Sequence, residues 1–186
     1  FFTLLRNAFG YMRSTGDGST GDEVVSKFAV LGTSKISEHA LVRPVSKNLN
    51  SEVLFVGSSK EENAAKFSQR HGIENYSYGD YVEIINHIRE TCPEVNCLYM
   101  ATNSESHYDL IEAGLNAGFN ILCEKPLNFT ETRGVELFQK ACESDLVLFE
   151  GYHYRFHPLM ERVKAIISEE KETLGKLRAI KVEQSN

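Results

Sequence analysis

This chain of 186 residues has no long apolar run, and its mean hydropathy is −0.30. The stretch of about 20 apolar residues that a membrane-spanning helix needs is missing. A basic excess is missing too. Twenty Lys and Arg against 26 Asp and Glu leave a net charge of −6, with a pI of about 5.6, the opposite of the footprint a nucleic-acid partner selects. The four cysteines, Cys92, Cys97, Cys123 and Cys142, lack zinc-ligand pairing, and Cys123 falls within an apolar run. They read as reduced thiols of a cytoplasmic protein, with no metal site among them. Internal repeats and long low-complexity tracts are absent. So is an initiating methionine, and the true N-terminus, with any targeting signal, is expected upstream of Phe1.

The chain is long enough for one sizeable core, or for one domain and the beginning of another. Residues 1–9 suit a short amphipathic helix without the cleavage pattern of a signal peptide. Residues 14–21 are rich in Gly, Ser, Thr and Asp and read as a flexible linker. Residues 1–25 are therefore set apart as leader and linker. Beyond them, apolar runs at 27–31, 52–56, 95–101, 119–123 and 146–149 read as strands. Helices are expected at 60–70, with Gly72 as the stop, and from Asp80 with Ile84, Ile85 and Ile88 on one face. Two more are expected at 106–117, closed by Gly118, and at 130–144. Near-continuous apolar strands alternating with helices imply a doubly wound parallel sheet covered on both faces. After residue 149 the pattern changes to a segment dense in rings, a helix at 159–168 and an alternating strand at 176–182. A single strand makes no domain. The expectation is an α/β domain at 26–150, and at 151–186 the start of a truncated α+β domain.

Lys125 stands between Glu124 and Pro126 at the C-terminal edge of the 119–123 strand, where open α/β sheets bind ligands. An X-Pro bond adopts cis at small cost, giving a sharp turn that aims the lysine at a substrate. The plainer reading is a solvated lysine in a surface turn. Upstream, strand 27–31 ends in Gly32-Thr33-Ser34-Lys35-Ile36-Ser37, a degraded dinucleotide fingerprint. Gly32 supplies the tight turn, Ser37 the small residue where helix packs on strand, and Ser34 stands where a second glycine would meet pyrophosphate. The helix N-terminus that follows offers free amides to phosphate. Strand 52–56 leads into Ser58, Ser59 and Lys60, without the Asp or Glu that binds the ribose 2′-hydroxyl of NAD. Two hydroxyls and a cation suit a 2′-phosphate, so NADP is expected over NAD. The same residues also serve to cap and charge the next helix.

Four blocks, taken in order and spacing, resemble the Gfo/Idh/MocA family of NAD(P)-dependent oxidoreductases across residues 27–182. They are Phe28-Ala29-Val30-Leu31-Gly32-Thr33, Ala101-Thr102 with His107, Cys123-Glu124-Lys125-Pro126-Leu127, and Tyr154-Arg155-Phe156-His157-Pro158. Within the family the likeness is to the dihydrodiol dehydrogenase and NADP-dependent D-xylose dehydrogenase branch. The resemblance implies a Rossmann domain followed by an open-faced, largely antiparallel sheet domain through which subunits pair as homodimers. It implies that Lys125 is the active-site lysine, that Arg155 lies near the cofactor and that His153 lies by the nicotinamide. Thr102, Asn103 and His107 belong to the loop on the nicotinamide side. Gly32, Ser34, Lys35 and Ile36 are expected at the pyrophosphate, Ser58, Ser59 and Lys60 at the ribose, and Glu124 beside Lys125 at the cofactor. Asn103-Ser104 replaces the family's usual Pro-Asn.

The implied reaction moves a hydride to NADP from a sugar, with D-xylose to xylonolactone as the specific expectation, or from a cyclic trans-diol. The family also contains non-catalytic dinucleotide-binding regulators, which form the alternative. Hydride loss from a carbinol carbon needs a base for the hydroxyl proton and a cation for the developing alkoxide. A partly buried Lys125 supplies either. Glu124 holds that lysine or simply accepts hydrogen bonds in the turn. Tyr154 relays a proton or packs as a ring between domains. A second acid/base group is expected beyond Asn186.

Overall fold

A computed structural model describes residues 25–169 and, beyond them, positions 175, 176, 178, 179, 181 and 183. The expected leader helix and linker lie outside the described residues. The strand expected at 176–182 falls where only isolated positions are described. Two compact units divide between Gly151 and Tyr152.

The first unit is built on six parallel strands. They are β1 (Ser26–Leu31), β2 (Ser51–Ser58), β3 (Asn75–Tyr78), β4 (Cys97–Met100), β5 (Asn120–Cys123) and β6 (Leu148–Glu150). Their order is β3-β2-β1-β4-β5-β6, that of a doubly wound dinucleotide-binding sheet whose direction of winding reverses between β1 and β4. β1 and β4 sit at the centre, and Ala29, Val30, Leu31, Leu98 and Met100 are fully buried. Strands covered on both faces must be apolar throughout, which is why these runs stand out in the sequence. The β1–β2 register shifts between Phe28 and Ala29, leaving Leu54 as the extra residue.

Five helices connect the strands. The first, α1, is a wide π-turn over Ser37–Val42 continued by Arg43–Val45. The Arg43 amide reaches back to the Glu38 carbonyl, one residue further than in an α-helix. Pro44 follows directly and has no N–H to give the next rung. α2 spans Glu61–His71 and ends at left-handed Gly72, as expected. α3 spans Tyr81–Thr91, and the Asp80 carboxylate accepts from the Val82 and Glu83 amides at its N-terminus. Its apolar face, Ile84, Ile85 and Ile88, joins Phe55, Val95, Leu110, Leu115 and Phe119 in the core. α4 (His107–Asn116) follows a single 3₁₀ turn, Ser104–Ser106. α5 (Glu131–Glu143) opens on Thr130, whose hydroxyl accepts the Arg133 amide.

Two boundaries differ from expectation. β4 is shorter than the apolar run 95–101, because Val95 and Ala101 are buried outside the ladder. The last strand pairs from Leu148 to Glu150 rather than from 146, where Asp145 turns with φ of 53° and the Val147 amide donates to the Asn120 side chain. β3 carries no apolar run and was not expected. In the second unit a 3₁₀ turn, His153–Phe156, precedes α6 (Pro158–Glu169), whose start is capped by His157 accepting the Leu159 amide at 3.1 Å. Among the described residues, no helix is long and apolar enough to cross a membrane.

Candidate functional site

The C-terminal ends of β1, β2, β4 and β5 share one edge of the parallel sheet, and the expected residues of the first unit collect there. At the end of β1, Gly32 adopts a φ of 99°, and its amide donates to the Gly57 carbonyl at 2.9 Å. A Cβ built on Gly32 would lie 2.5 Å from the Ala101 carbonyl oxygen. Both the dihedral and the close approach demand glycine. Ser37 is fully buried, and its hydroxyl donates to the Gly32 carbonyl at 2.6 Å. The proton of Ser37 is thereby committed, so Ser34 donates across the 3.1 Å contact between the two hydroxyls. Ser34 also accepts the Ser37 amide at 3.4 Å. The residue in the second glycine's place therefore pins the start of α1. Ser34, Lys35 and Ile36 are exposed around that N-terminus, where amides and the helix dipole favour an anion.

The end of β2 divides the expected ribose residues. Ser58 is 2 % exposed, shares a 3.4 Å hydrogen bond with Thr33, and has its carbonyl held by the Gly79 amide. Ser59 and Lys60 are exposed. Lys60 occupies the N-cap position of α2, where an ammonium, a donor only, cannot cap the helix amides.

Beyond β4, the loop runs through Thr102 and Asn103 into the 3₁₀ turn. Ser106 donates to the Asn103 carbonyl at 2.7 Å, so Thr102 donates to Ser106 at 3.1 Å. The Asn103 side chain accepts the Glu105 amide at 3.4 Å, a bond that a proline at 103 could not make. His107 is 1 % exposed. Its Nδ1 donates to the Pro126 carbonyl at 2.9 Å, which fixes the tautomer, and its buried Nε2 has no hydrogen-bond partner among the described residues.

That histidine ties the β4 loop to the Glu124-Lys125-Pro126 turn after β5, where the Lys125–Pro126 bond is cis. The Glu124 amide donates to the Met100 carbonyl at 2.8 Å, and the Leu127 amide donates to the Glu150 carboxylate at 3.2 Å. Glu124 is 6 % exposed and accepts the Tyr99 hydroxyl at 2.7 Å. Burial, then the charge of Glu124, raises the Tyr99 pKa well above the ordinary phenol value, so the hydroxyl stays a donor. Lys125 itself is exposed, not partly buried as expected. Its backbone neighbours are held and its side chain projects from the turn into solvent.

His153, Tyr154 and Arg155 lie together on the 3₁₀ turn of the second unit, all three exposed, with the Tyr154 ring edge-on to Tyr152 at 5.6 Å. Sequence reasoning missed Thr33, the partner of Ser58, and Tyr99, the partner of Glu124. The second left one trace: a lone phenol inside an otherwise apolar strand.

Residues 26–152 match a family model described as an oxidoreductase family with an NAD-binding Rossmann fold. A trans-1,2-dihydrobenzene-1,2-diol dehydrogenase of Xenopus tropicalis is 27% identical over 161 residues, 86% of this chain and 46% of that protein. A D-xylose 1-dehydrogenase (NADP(+)) of Haloferax volcanii is 27% identical over 143 residues, 77% of this chain and 42% of the relative. Among solved structures, KijD10, a 3-ketoreductase from Actinomadura kijaniata in complex with NADP and TDP-benzene, superposes with a TM-score of 0.69 at 24% identity. That match covers 78% of this chain and 42% of KijD10. A putative myo-inositol dehydrogenase from Sinorhizobium meliloti gives 0.66 at 22% identity, covering 81% and 43%. At that identity these structures speak for the fold alone. The chain spans less than half the length of the curated relatives it matches.

Proposed function

The chain belongs to the Gfo/Idh/MocA family of oxidoreductases, and on that premise we propose that the whole protein is an NADP-dependent dehydrogenase acting on CH–OH groups. The reading is carried by Lys125, exposed on a pinned turn at the sheet edge where ligands of such folds bind. A sugar, D-xylose before others, or a cyclic trans-diol is the proposed substrate, on the strength of the two dehydrogenase relatives.

The residues present fit a dinucleotide. Gly32 leaves a cradle that a Cβ would fill, and Ser34, Lys35 and Ile36 are exposed at the N-terminus of α1. Ser59 and Lys60 offer a hydroxyl and a cation to the 2′-phosphate, while Ser58 shapes the turn from within. Thr102, Asn103, His107 and Glu124 form and brace the nicotinamide side. Bound there, NADP would supply the hydride acceptor for the carbinol carbon. Lys125 takes the hydroxyl proton or holds the developing alkoxide. His153 and Arg155 keep the roles that the family resemblance implies, and Tyr154 is the proposed proton relay.

Residues 26–150 form the proposed dinucleotide-binding domain, and residues 151–186 open a substrate domain through which subunits pair. A cytoplasmic setting accords with four unpaired thiols, and a net charge of −6 accords with a small-molecule partner rather than nucleic acid. The test is reduction of NADP by the full-length protein with a panel of aldoses and cyclic diols, followed at the nicotinamide absorbance band. Turnover with at least one supports the reading. Tight NADP binding without turnover on any of them replaces it with a dinucleotide sensor.

A further inference from the structure

We infer that Tyr99 is a positioning residue for the Lys125 turn, acting through the buried carboxylate of Glu124. The link to catalysis rests on the dehydrogenase reading above; the link to the turn rests on geometry alone.

β4 is buried at every position, Cys97, Leu98, Tyr99 and Met100. A phenylalanine at 99 would bury the same ring with no hydroxyl to satisfy, so the phenol carries a polar group into the core that needs a partner. Its partner is Glu124 Oε1 at 2.7 Å. Glu124 is also tied through its backbone, since its amide donates to the Met100 carbonyl at 2.8 Å. Both ends of the residue are thus referenced to consecutive positions of the central strand β4. The chain after β6 leaves the carboxylate its space: a Cβ added to Gly151 would sit 3.3 Å from Glu124 Oε1.

The neighbours of Lys125 are each anchored to a different element. Glu124 is held by Tyr99, the Pro126 carbonyl by His107, and the Leu127 amide by Glu150. The lysine stem therefore leaves from a platform fixed by three separate side chains. Of the three anchors, the Tyr99–Glu124 bond is the most deeply buried, and like the Leu127–Glu150 bond it involves a carboxylate, the stronger kind of hydrogen bond. Removing the hydroxyl takes from Oε1 its side-chain tie to β4 in a space nearly closed to solvent. The carboxylate then settles differently, which moves the residue directly before the lysine.

The experiment compares full-length protein with Tyr99→Phe, Glu124→Gln and the double variant. Four quantities are measured: kcat per NADP-binding site, the NADP dissociation constant, Tm, and site-resolved amide exchange. Tyr99→Phe is expected to lower kcat roughly tenfold, the scale of one charged hydrogen bond partly realised in the transition state. The NADP dissociation constant should stay within about twofold, since the phosphate contacts lie at the other strand ends. Exchange of the Leu127 amide should accelerate, while amides in β1 and β2 should not. The double variant should be no slower than the worse single one, because both act on the same bond, Tyr99→Phe by removing its donor and Glu124→Gln by removing the charge of its acceptor.

Unchanged exchange at Leu127 in both single variants overturns the proposal. So does acceleration spread evenly over the sheet with a matching fall in Tm, which would make Tyr99 a stability residue only. If the parent protein turns over no sugar or diol, the dehydrogenase reading fails by itself. The exchange measurement still decides whether Tyr99 holds the turn.

Discussion

Gly32→Ala tests the geometry on which the proposed cofactor binding depends. An alanine there meets two independent penalties. Its φ of 99° lies outside the regions that L-residues occupy, at about 1–3 kcal/mol for a held strained residue. Its Cβ would also stand 2.5 Å from the Ala101 oxygen and 2.9 Å from the Ala101 carbon. Neither atom is the loose end of a side chain. The Ala101 amide donates to the Leu31 carbonyl at 2.8 Å, so relief requires parting β1 from β4 at the centre of the sheet. Overpacking against such fixed atoms costs a further ~1–3 kcal/mol. The sum, about 2–6 kcal/mol, is a large part of the ~5–15 kcal/mol that stabilises a domain. Urea unfolding of the full-length variant should show a clearly lower midpoint, and NADP titration by fluorescence should show weakened binding, since the displaced loop carries the α1 amides. A midpoint shift worth less than about 1 kcal/mol, together with unaltered NADP affinity, would refute the argument that this turn is closed to a side chain.

Lys125→Met should cut turnover by roughly two to four orders of magnitude, the range for losing a general acid–base group, with a far smaller change in NADP affinity. A drop below about tenfold would return Lys125 to an ordinary surface turn. Ser59→Asp should erase or reverse the preference for NADP by repelling the 2′-phosphate, read from the ratio of dissociation constants; equal affinities in the parent would show that this loop does not face the ribose. Ser58→Asp should instead destabilise the fold, because that side chain is buried against Thr33. Thiol labelling of the native protein should modify Cys142, which is exposed, and spare Cys92, Cys97 and Cys123 until unfolding. Burial pushes the Cys97 thiol up to about 12 and raises Cys123 as well. The unfolded chain ionises these thiols from the ordinary value of 9.0 upward while the fold keeps them protonated, so their contribution to stability should decline as pH rises from there through about 12. A flat alkaline stability profile would show that neither thiol is sealed from water.

The sheet was legible where burial on both faces forces a strand to be apolar. β1, β4 and β5 announce themselves for that reason, and so do the Asp80 and Thr130 caps, whose chemistry is local. β3 fails the same test. Its residues Asn75, Tyr76 and Tyr78 are exposed, and it is a strand because Phe55 through Ser58 of β2 offer it a ladder. Only a partner 20 residues away in sequence defines it, so no local pattern could.

The site divides along the same line. Gly32, Ser34 and Ser37 act within one turn of chain, and their roles follow from residue type and spacing. The burial of Ser58 and the Tyr99–Glu124 bond depend instead on which strands lie side by side. Tyr99 is paired with Leu122 and Met100 with Cys123. Side chains alternate between faces, so Glu124, two residues past Leu122, projects from the face that Tyr99 occupies. The register alone therefore brings the phenol to the carboxylate. A composition of one tyrosine in an apolar run and one glutamate before a lysine carries that consequence only after β4 and β5 are known to run parallel and in step. Lys125, the residue proposed for the chemistry, was thus visible in the sequence, whereas the bond that holds the residue before it was written in the pairing of two buried strands.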